Sequence, residues 1–404
     1  MGNAASARPE LLERLRAPRG LLVAGLLSGT SCDGVDVALC RARLGSDEAD
    51  LEPPELLVHA TRPFEELPGG AALRGRLLRL IDGRGDSLAA LATAHRDMAL
   101  ACAAALESVE RESSLRAELV GSHGQTVWHH DGVPELRGAT LQLGDLSTLA
   151  ERSARPVVGD FRWRDLARGG EGAPLVALVD HLIFPALPRP AAILNLGGIA
   201  NLTLLGRERG ELLAFDSGPA NCVLDTMARL FLDAPCDVDG ATALRGRVDE
   251  ALLARWLAHP YFALPAPKST GRDTFSRAWV EGLVASERAT RSDAPRLFAT
   301  AVELVARTIA DALRAALAKQ PHLAPVGPLV VAGGGVRNPA LLEALRRHVG
   351  PLVDAGEVGP AARAREGLLF ALLAARHVAG IPSTHPGATK ASAGGVLGVY
   401  APPC

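Results

Sequence analysis

An aspartate, Asp216, follows an apolar run at residues 212–215 and precedes Ser217, Gly218 and Pro219 in "ELLAFDSGPAN". A carboxylate at the end of a buried strand can take a proton from a substrate or a water within hydrogen-bond reach. The same residue could equally be a turn former or a cap for the helical pattern "NCVLDTMARLFL" that follows. Three glycine-bearing turns also follow apolar runs: "SGTSCDGVD", the pair Gly197 and Gly198, and the triplet Gly333, Gly334 and Gly335. Glycine lets backbone N–H groups come close to an anion, so three such turns point to a nucleotide held between two lobes. Neither G-x-x-x-x-G-K-[ST] nor a complete G-x-G-x-x-G is present, and the first turn must cradle phosphate without lysine. That turn, Gly29, Thr30, Ser31, Cys32, Asp33, Gly34, Val35 and Asp36, instead carries two carboxylates. Carboxylates beside phosphate repel it unless a divalent cation or its waters lie between, and Mg²⁺ takes one or two carboxylates plus phosphate oxygens. Asp33 is the expected metal-side residue, acting directly or through water.

Other polar clusters are less specific. "GSHGQTVWHH" offers His123, Gln125, Thr126, His129 and His130, with Asp131 behind them. Adjacent histidines on a strand face opposite ways and lack the i, i+4 pairing of a helical zinc site, so a polar loop facing a hydroxylated substrate is the better reading. "FRWRDLARGGEGAP" carries Arg162, Arg164, Asp165 and Arg168, either a solvated charge run or a clamp for a substrate carboxylate. "PKSTGRDTF" places Lys268, Ser269, Thr270, Gly271 and Arg272 in a cationic loop that could touch phosphate or cap the next helix. Glu366 opens the apolar segment "EGLLFALLAARHVAG", where an N-terminal acid also complements the helix dipole.

The elements around these residues follow an α/β pattern. Apolar runs at residues 21–27 and 35–44 flank the first turn, and runs at 191–196 and 199–205 flank the second. Strand–turn–strand openings in both halves suggest two related lobes. Helical spacing is expected over 88–108 and 296–320. After the third turn, Asn338 reads as an N-cap, Pro339 as the first helical residue and Gly350 as the residue past the end. The 404 residues carry 43 basic and 45 acidic side chains, a formal net charge of −2, which leaves no electrostatic footprint for nucleic acid or anionic lipid. No apolar run approaches the about 20 residues of a membrane span. Six scattered cysteines without a C-x-x-C pair suggest reduced thiols and a cytoplasmic location.

Together the segments "GLLSGTSCDGVDVAL", "GSHGQTVWH", "LQLGD", "PVVGDFRWRDLARGGEGAPLV", "ILNLGGIANLT", "FDSGPANCVLD", "PYFALPAPKSTGRDTF", "GGGVRNPALLEAL" and "EGLLFALLAARHVAGIPS" resemble, in order, those of the anhydro-N-acetylmuramic acid kinases. That family sits in the superfamily of acetate and sugar kinases, chaperone ATPases and actin. The resemblance implies two ribonuclease-H-like α/β lobes, mixed sheets flanked by helices, with an ATP cleft between them. Residues 1–20, read from their Ala- and Ser-rich start as a disordered extension, have no counterpart in the family; the rest divides into lobe I (21–160 with about 385–404) and lobe II (161–384). The resemblance also implies ATP and Mg²⁺ as cofactors, 1,6-anhydro-N-acetylmuramic acid as substrate, and a homodimer. Water opens the anhydro bridge, and the freed O6 takes the γ-phosphate. On this carry-over Asp216 activates the water, residues 29–36 and Gly197 with Gly198 hold phosphates, and Gly333 to Gly335 lie against adenosine. Arg164 would meet the sugar's carboxylate, and His123, Gln125 and Glu366 would line its pocket.

The chain departs from the family pattern at Cys32, Ser217, Glu171 in "GGEGAP" and the looser ending "THPGATKASAGGVLGVYAP". Two rivals share the glycine turns: a chaperone- or actin-like ATPase, and a sugar kinase with an ordinary hydroxyl acceptor. A metal-dependent hydrolase built on "HGQTVWHHD" is more distant.

Overall fold

A computed structural model describes residues 7–29, 31–81, 87–129, 138–208, 210–270, 274–285 and 287–404. Thr30 of the first turn, His130, Asp131, Gly271 and Arg272 lie outside the described residues. Twelve strands form two mixed sheets among the described residues. The first takes β1 (Leu21–Ser28), β2 (Gly34–Ala42), β3 (Glu55–Pro63), β4 (Leu119–His129), β5 (Thr140–Leu143) and β6 (Val157–Gly159). The second takes β7 (Ala191–Leu196), β8 (Ile199–Leu205), β9 (Leu212–Pro219), β10 (Leu329–Ala332) and β11 (Leu352–Asp354), and β12 (Val399–Ala401) returns to the first.

The two sheets repeat one plan. β3-β2-β1 and β9-β8-β7 are antiparallel, after which β4 and β6 continue the first sheet in parallel, as β10 and β11 continue the second. This strand order is the ribonuclease-H-like topology expected twice over. Buried residues divide accordingly. One core lies beneath the helix Leu88–Ser113 on the outer face of the first sheet, and another under the helix Ala294–Lys319 on the second. A middle core draws Leu21 and Val23 from the first sheet together with Ile193, Ala214 and Val330 from the second.

The helix Arg365–Ala379 runs through that middle core and packs against β1, β2 and β4. Glycine makes this close approach possible. A Cβ at Gly25 or Gly121 would strike the helix backbone at Gly367 or Phe370, and one at Gly367 would meet the Ala38 Cβ at 2.8 Å. The division at residue 385 is corrected here, because this helix serves the first sheet rather than the second. The expected disorder of residues 1–20 needs correcting from Ala7 onward, residues 1–6 lying outside the described ones: Ala7–Arg16 is a helix whose Leu11 and Leu15 are buried, and the Arg8 guanidinium donates to the His377 carbonyl at 3.0 Å.

An ion pair fastens the same helix to the connection between the sheets. Arg365 and Asp180 have side-chain exposures of 4% and 0%, and the guanidinium donates to both carboxylate oxygens at 2.7 and 2.5 Å. Removing one partner strands a buried charge, which costs about 3–5 kcal/mol. Asp180→Ala is therefore expected to lower unfolding free energy by about that amount in a urea titration at pH 7. A loss below about 1 kcal/mol would show that the pair is not a structural fastening.

Candidate active site

Asp216 lies within β9, which runs on through Pro219 rather than stopping at the aspartate as the sequence suggested, beside a register shift in the β8–β9 pairing, and only 6% of its surface is exposed. Three backbone-linked contacts fix it: its Oδ2 accepts the Thr270 N–H at 2.9 Å, its own N–H donates to the Lys268 carbonyl at 2.9 Å, and its carbonyl accepts the Tyr261 hydroxyl at 2.8 Å. Burial pushes its carboxyl up to about 7, against the lowering effects of the Thr270 N–H and of Lys268 and Arg162. A base poised near neutrality is what proton abstraction from water needs. Asn201 lies opposite Asp216 in the β8–β9 register, and its Oδ1, like Thr270 Oγ1, is buried without a hydrogen-bond partner. Unspent polar atoms beside a buried carboxylate suit a hydroxylated ligand.

Arg162 reaches this carboxylate from the helix Phe161–Ala167. Its Nε donates to His123 Nε2 at 3.1 Å and its Nη1 to the Gly172 carbonyl at 2.6 Å. Burial pulls its guanidinium down to about 10, while Asp165 and Asp216 hold it up. The His123 ring stacks on Phe370, with centroids 4.6 Å apart, and its Nδ1 lies 3.2 Å from the Gly124 carbonyl. Burial and then the Arg162 charge hold His123 well below its ordinary value. The imidazole is therefore neutral, with Nδ1–H donating to the carbonyl and Nε2 accepting from Arg162. His123 thus acts on the site through Arg162.

The glycine turns separate into two groups. A Cβ at Gly34 would strike the Arg62 carbonyl, one at Gly335 would meet Leu196 Cβ at 2.6 Å, and Gly333 has φ +85° with Asn195 Oδ1 and Leu196 O within 2.8 Å of its virtual Cβ. The fold itself requires these glycines. By contrast, Gly29, Gly197, Gly198 and Gly334 have room for a Cβ, with nearest atoms at 4.0, 3.4, 3.9 and 3.6 Å. Their lack of a side chain leaves space for a ligand to approach the backbone. The second and third turns adjoin: Gly197 and Gly198 carbonyls accept the first N–H groups of the helix Asn221–Phe231, and Asn221 Nδ2 donates to Leu196 O. Asn338 caps Pro339–Val349 through Leu341 N and Gly350 follows, as the sequence indicated.

In the first turn Cys32 is buried with φ 54°, while Ser31 and Asp33 are exposed and Val35 is buried. Asp33 Oδ1 lies 3.5 Å from Arg74, whose Nε donates to the Cys32 carbonyl at 2.8 Å. Asp36 accepts from Thr61 Oγ1 and repels Glu366, which the surrounding protein mass holds above its ordinary value although its side chain is open to solvent. The carboxylate that shares the cleft with Glu366 is thus Asp36. Asp33, expected at the metal, is already faced by a guanidinium. Among the described residues no group of three or more His, Cys, Asp or Glu could by itself hold a metal ion. A donor set this sparse fits Mg²⁺ carried largely by phosphates and water.

A family model, anhydro-N-acetylmuramic acid kinase, matches residues 21–403. The chain belongs to this family. Relatives of that name from Gloeobacter violaceus and Parasynechococcus marenigrum are 41% and 40% identical, over 93% and 95% of this chain and 97% and 100% of theirs. One from Streptomyces avermitilis is 40% identical over 94% of each. The function is accordingly phosphotransfer to the anhydro sugar.

Two residues expected at the sugar lie less directly beside Asp216 than Arg162 does. Arg164 is exposed and lies within electrostatic reach of His377, whereas the charge of Arg162 bears on Asp216. Residues two apart on a helix are about 200° apart, so the two arginines leave the helix on different faces. Gln125 is fully buried opposite Ser28, and both Gln125 Oε1 and Ser28 Oγ lack partners. Tyr261, missed in the sequence, had no local signal because its role depends on a contact 45 residues away.

The family departures partly cancel. Glu171 Oε1 meets Lys390 Nζ at 2.9 Å, beside the bond from Thr389 Oγ1 to Asp165 at 2.7 Å. Glu171 adds negative potential at Tyr261 and Asp165, and Lys390, from the divergent ending, neutralises it. Lys390→Met is expected to raise KM for the anionic sugar about fivefold, and adding Glu171→Gln to restore it. Equal KM values for the single and double variants would break this compensation.

Proposed function

We propose that Asp216 is the general base of a coupled ring opening and phosphorylation. The carboxylate takes a proton from water as the water oxygen bonds to the anomeric carbon. The bond from that carbon to the bridging O6 breaks, O6 bonds to the γ-phosphorus of ATP, and ADP departs. The product is N-acetylmuramic acid 6-phosphate. The observation that carries this reading is a buried aspartate within β9, held at its carboxylate, its N–H and its carbonyl, whose carboxyl is raised to about 7.

Arg162 supplies fixed positive charge beside the base and suits the sugar's carboxylate, with His123 setting its orientation. Gly29, Gly197, Gly198 and Gly334 offer open backbone to phosphate and nucleotide. Asp36, with Asp33 further out, would hold Mg²⁺ or its waters. The cation, when bound, neutralises charge developing on the transferring phosphoryl group. A reaction with ATP, Mg²⁺ and 1,6-anhydro-N-acetylmuramic acid is expected to yield one phosphate on O6 by ³¹P–¹H correlation. Transfer to the open sugar but never to the anhydro form would favour an ordinary sugar kinase. ATP hydrolysis with no sugar product would favour an ATPase.

A further inference from the structure

We propose that Lys268 is a positioning residue for Asp216: its buried ammonium closes the loop from Tyr261 to Thr270 around the carboxylate and sets a fixed positive charge against it. The proposal rests on Asp216 being the base.

In sequence, Lys268 reads as a cation offered to phosphate. The structure turns it inward, with 6% of its surface exposed. Nζ donates to the carbonyls of Tyr261 and Phe262 at 3.0 and 3.4 Å and lies 4.4 Å from the Tyr261 ring centroid. Those bonds tie the start of the loop to its end. The same loop supplies each hydrogen-bonded hold on Asp216 described above: the Tyr261 hydroxyl, the Lys268 carbonyl and the Thr270 N–H. Releasing the ammonium would loosen all three together.

The electrostatics run the same way. A lysine is rarely buried unless paired. Burial pulls Lys268 down to about 8, and Asp216 is the anion that opposes the shift. Among the described residues, the charged groups bearing on Asp216 are Lys268 from the loop and Arg162 from the helix Phe161–Ala167. Its other neighbours are neutral: the Thr270 N–H and Tyr261 hydroxyl from the loop, and Asn201 from β8. Glu171 bears on Tyr261 with negative charge. Two cations therefore keep the base ionisable in a dry site. Of these, Lys268 shares its loop with the groups that orient the carboxylate.

The test uses Lys268→Gln, which keeps an N–H donor toward the two carbonyls but drops the charge, with Lys268→Met as the fuller deletion. In the full chain, the acidic limb of kcat is expected to move up by about one pH unit in both variants, with kcat at pH 7 about fivefold lower and KM for ATP unchanged. Lys268→Arg is expected to hold the limb near its original position. A merely structural lysine would alter thermal stability and leave the limb in place. An unmoved limb in folded Lys268→Gln, alongside an inactive Asp216→Asn, overturns this proposal alone. Full activity in Asp216→Asn overturns both this proposal and the base assignment.

Discussion

Asp216→Asn is expected to lower kcat for the anhydro sugar by about a thousandfold or more, with KM for ATP little changed, because Asp216 is the one carboxylate that β9 carries. The isosteric amide keeps an oxygen for the Thr270 N–H but cannot take a proton from water. In the parent protein, kcat should rise with pH through a value near 7, since only the ionised carboxylate is a base. The stability effect has the opposite sign to the activity effect. The folded-state pKa is raised, so burial of the charge accumulates a penalty as pH climbs from the ordinary aspartate range toward 7, and the penalty is fully present above it. Asp216→Asn should therefore melt at a higher temperature than the parent at pH 8, with the difference shrinking toward pH 4. A dead variant with a raised melting point cannot be attributed to misfolding. A variant that melts lower at pH 8 would contradict the buried-charge account.

The second large effect separates two arginines on one helix. Arg162→Met is expected to reduce kcat/KM about a hundredfold. It removes the charge beside Asp216 and strips His123 Nε2 and the Gly172 carbonyl of their donor. Arg164→Met is expected to stay within about twofold of the parent, since its side chain is exposed. Steady-state kinetics on the two variants decides the assignment. Should Arg164→Met prove the damaging change, the helix phase seen here would not be the working one.

These arginines also show what the sequence could and could not convey. Motif resemblance located the segment, but choosing between positions 162 and 164 required the helix phase, set by buried Phe161, Asp165 and Leu166. The hairpins 191–196 and 199–205 and the cap Asn338 with Pro339 and Gly350 were legible because local pattern and turn chemistry determine them. Residues 7–16 carried their own signal, Leu11 and Leu15 four apart on one helical face, which an unstructured reading of the extension passed over. The placement of Arg365–Ala379 on the first sheet had no local signal. It depends on Gly25 and Gly121 admitting a helix that lies more than 240 residues away in the chain. Glu171 and Lys390 each looked like an isolated departure, and only their 2.9 Å contact makes them one feature.

The central claim is that one carboxylate activates water for attack on the sugar while the freed oxygen is phosphorylated. Turnover of 1,6-anhydro-N-acetylmuramic acid with ATP and Mg²⁺ in ¹⁸O-labelled water tests it directly by mass spectrometry of the product. The account predicts one ¹⁸O at the anomeric carbon in the first product formed, unlabelled O6 carrying the phosphate, and no such product from Asp216→Asn. Label on the phosphate instead, or labelled product from Asp216→Asn at the parent rate, would contradict it.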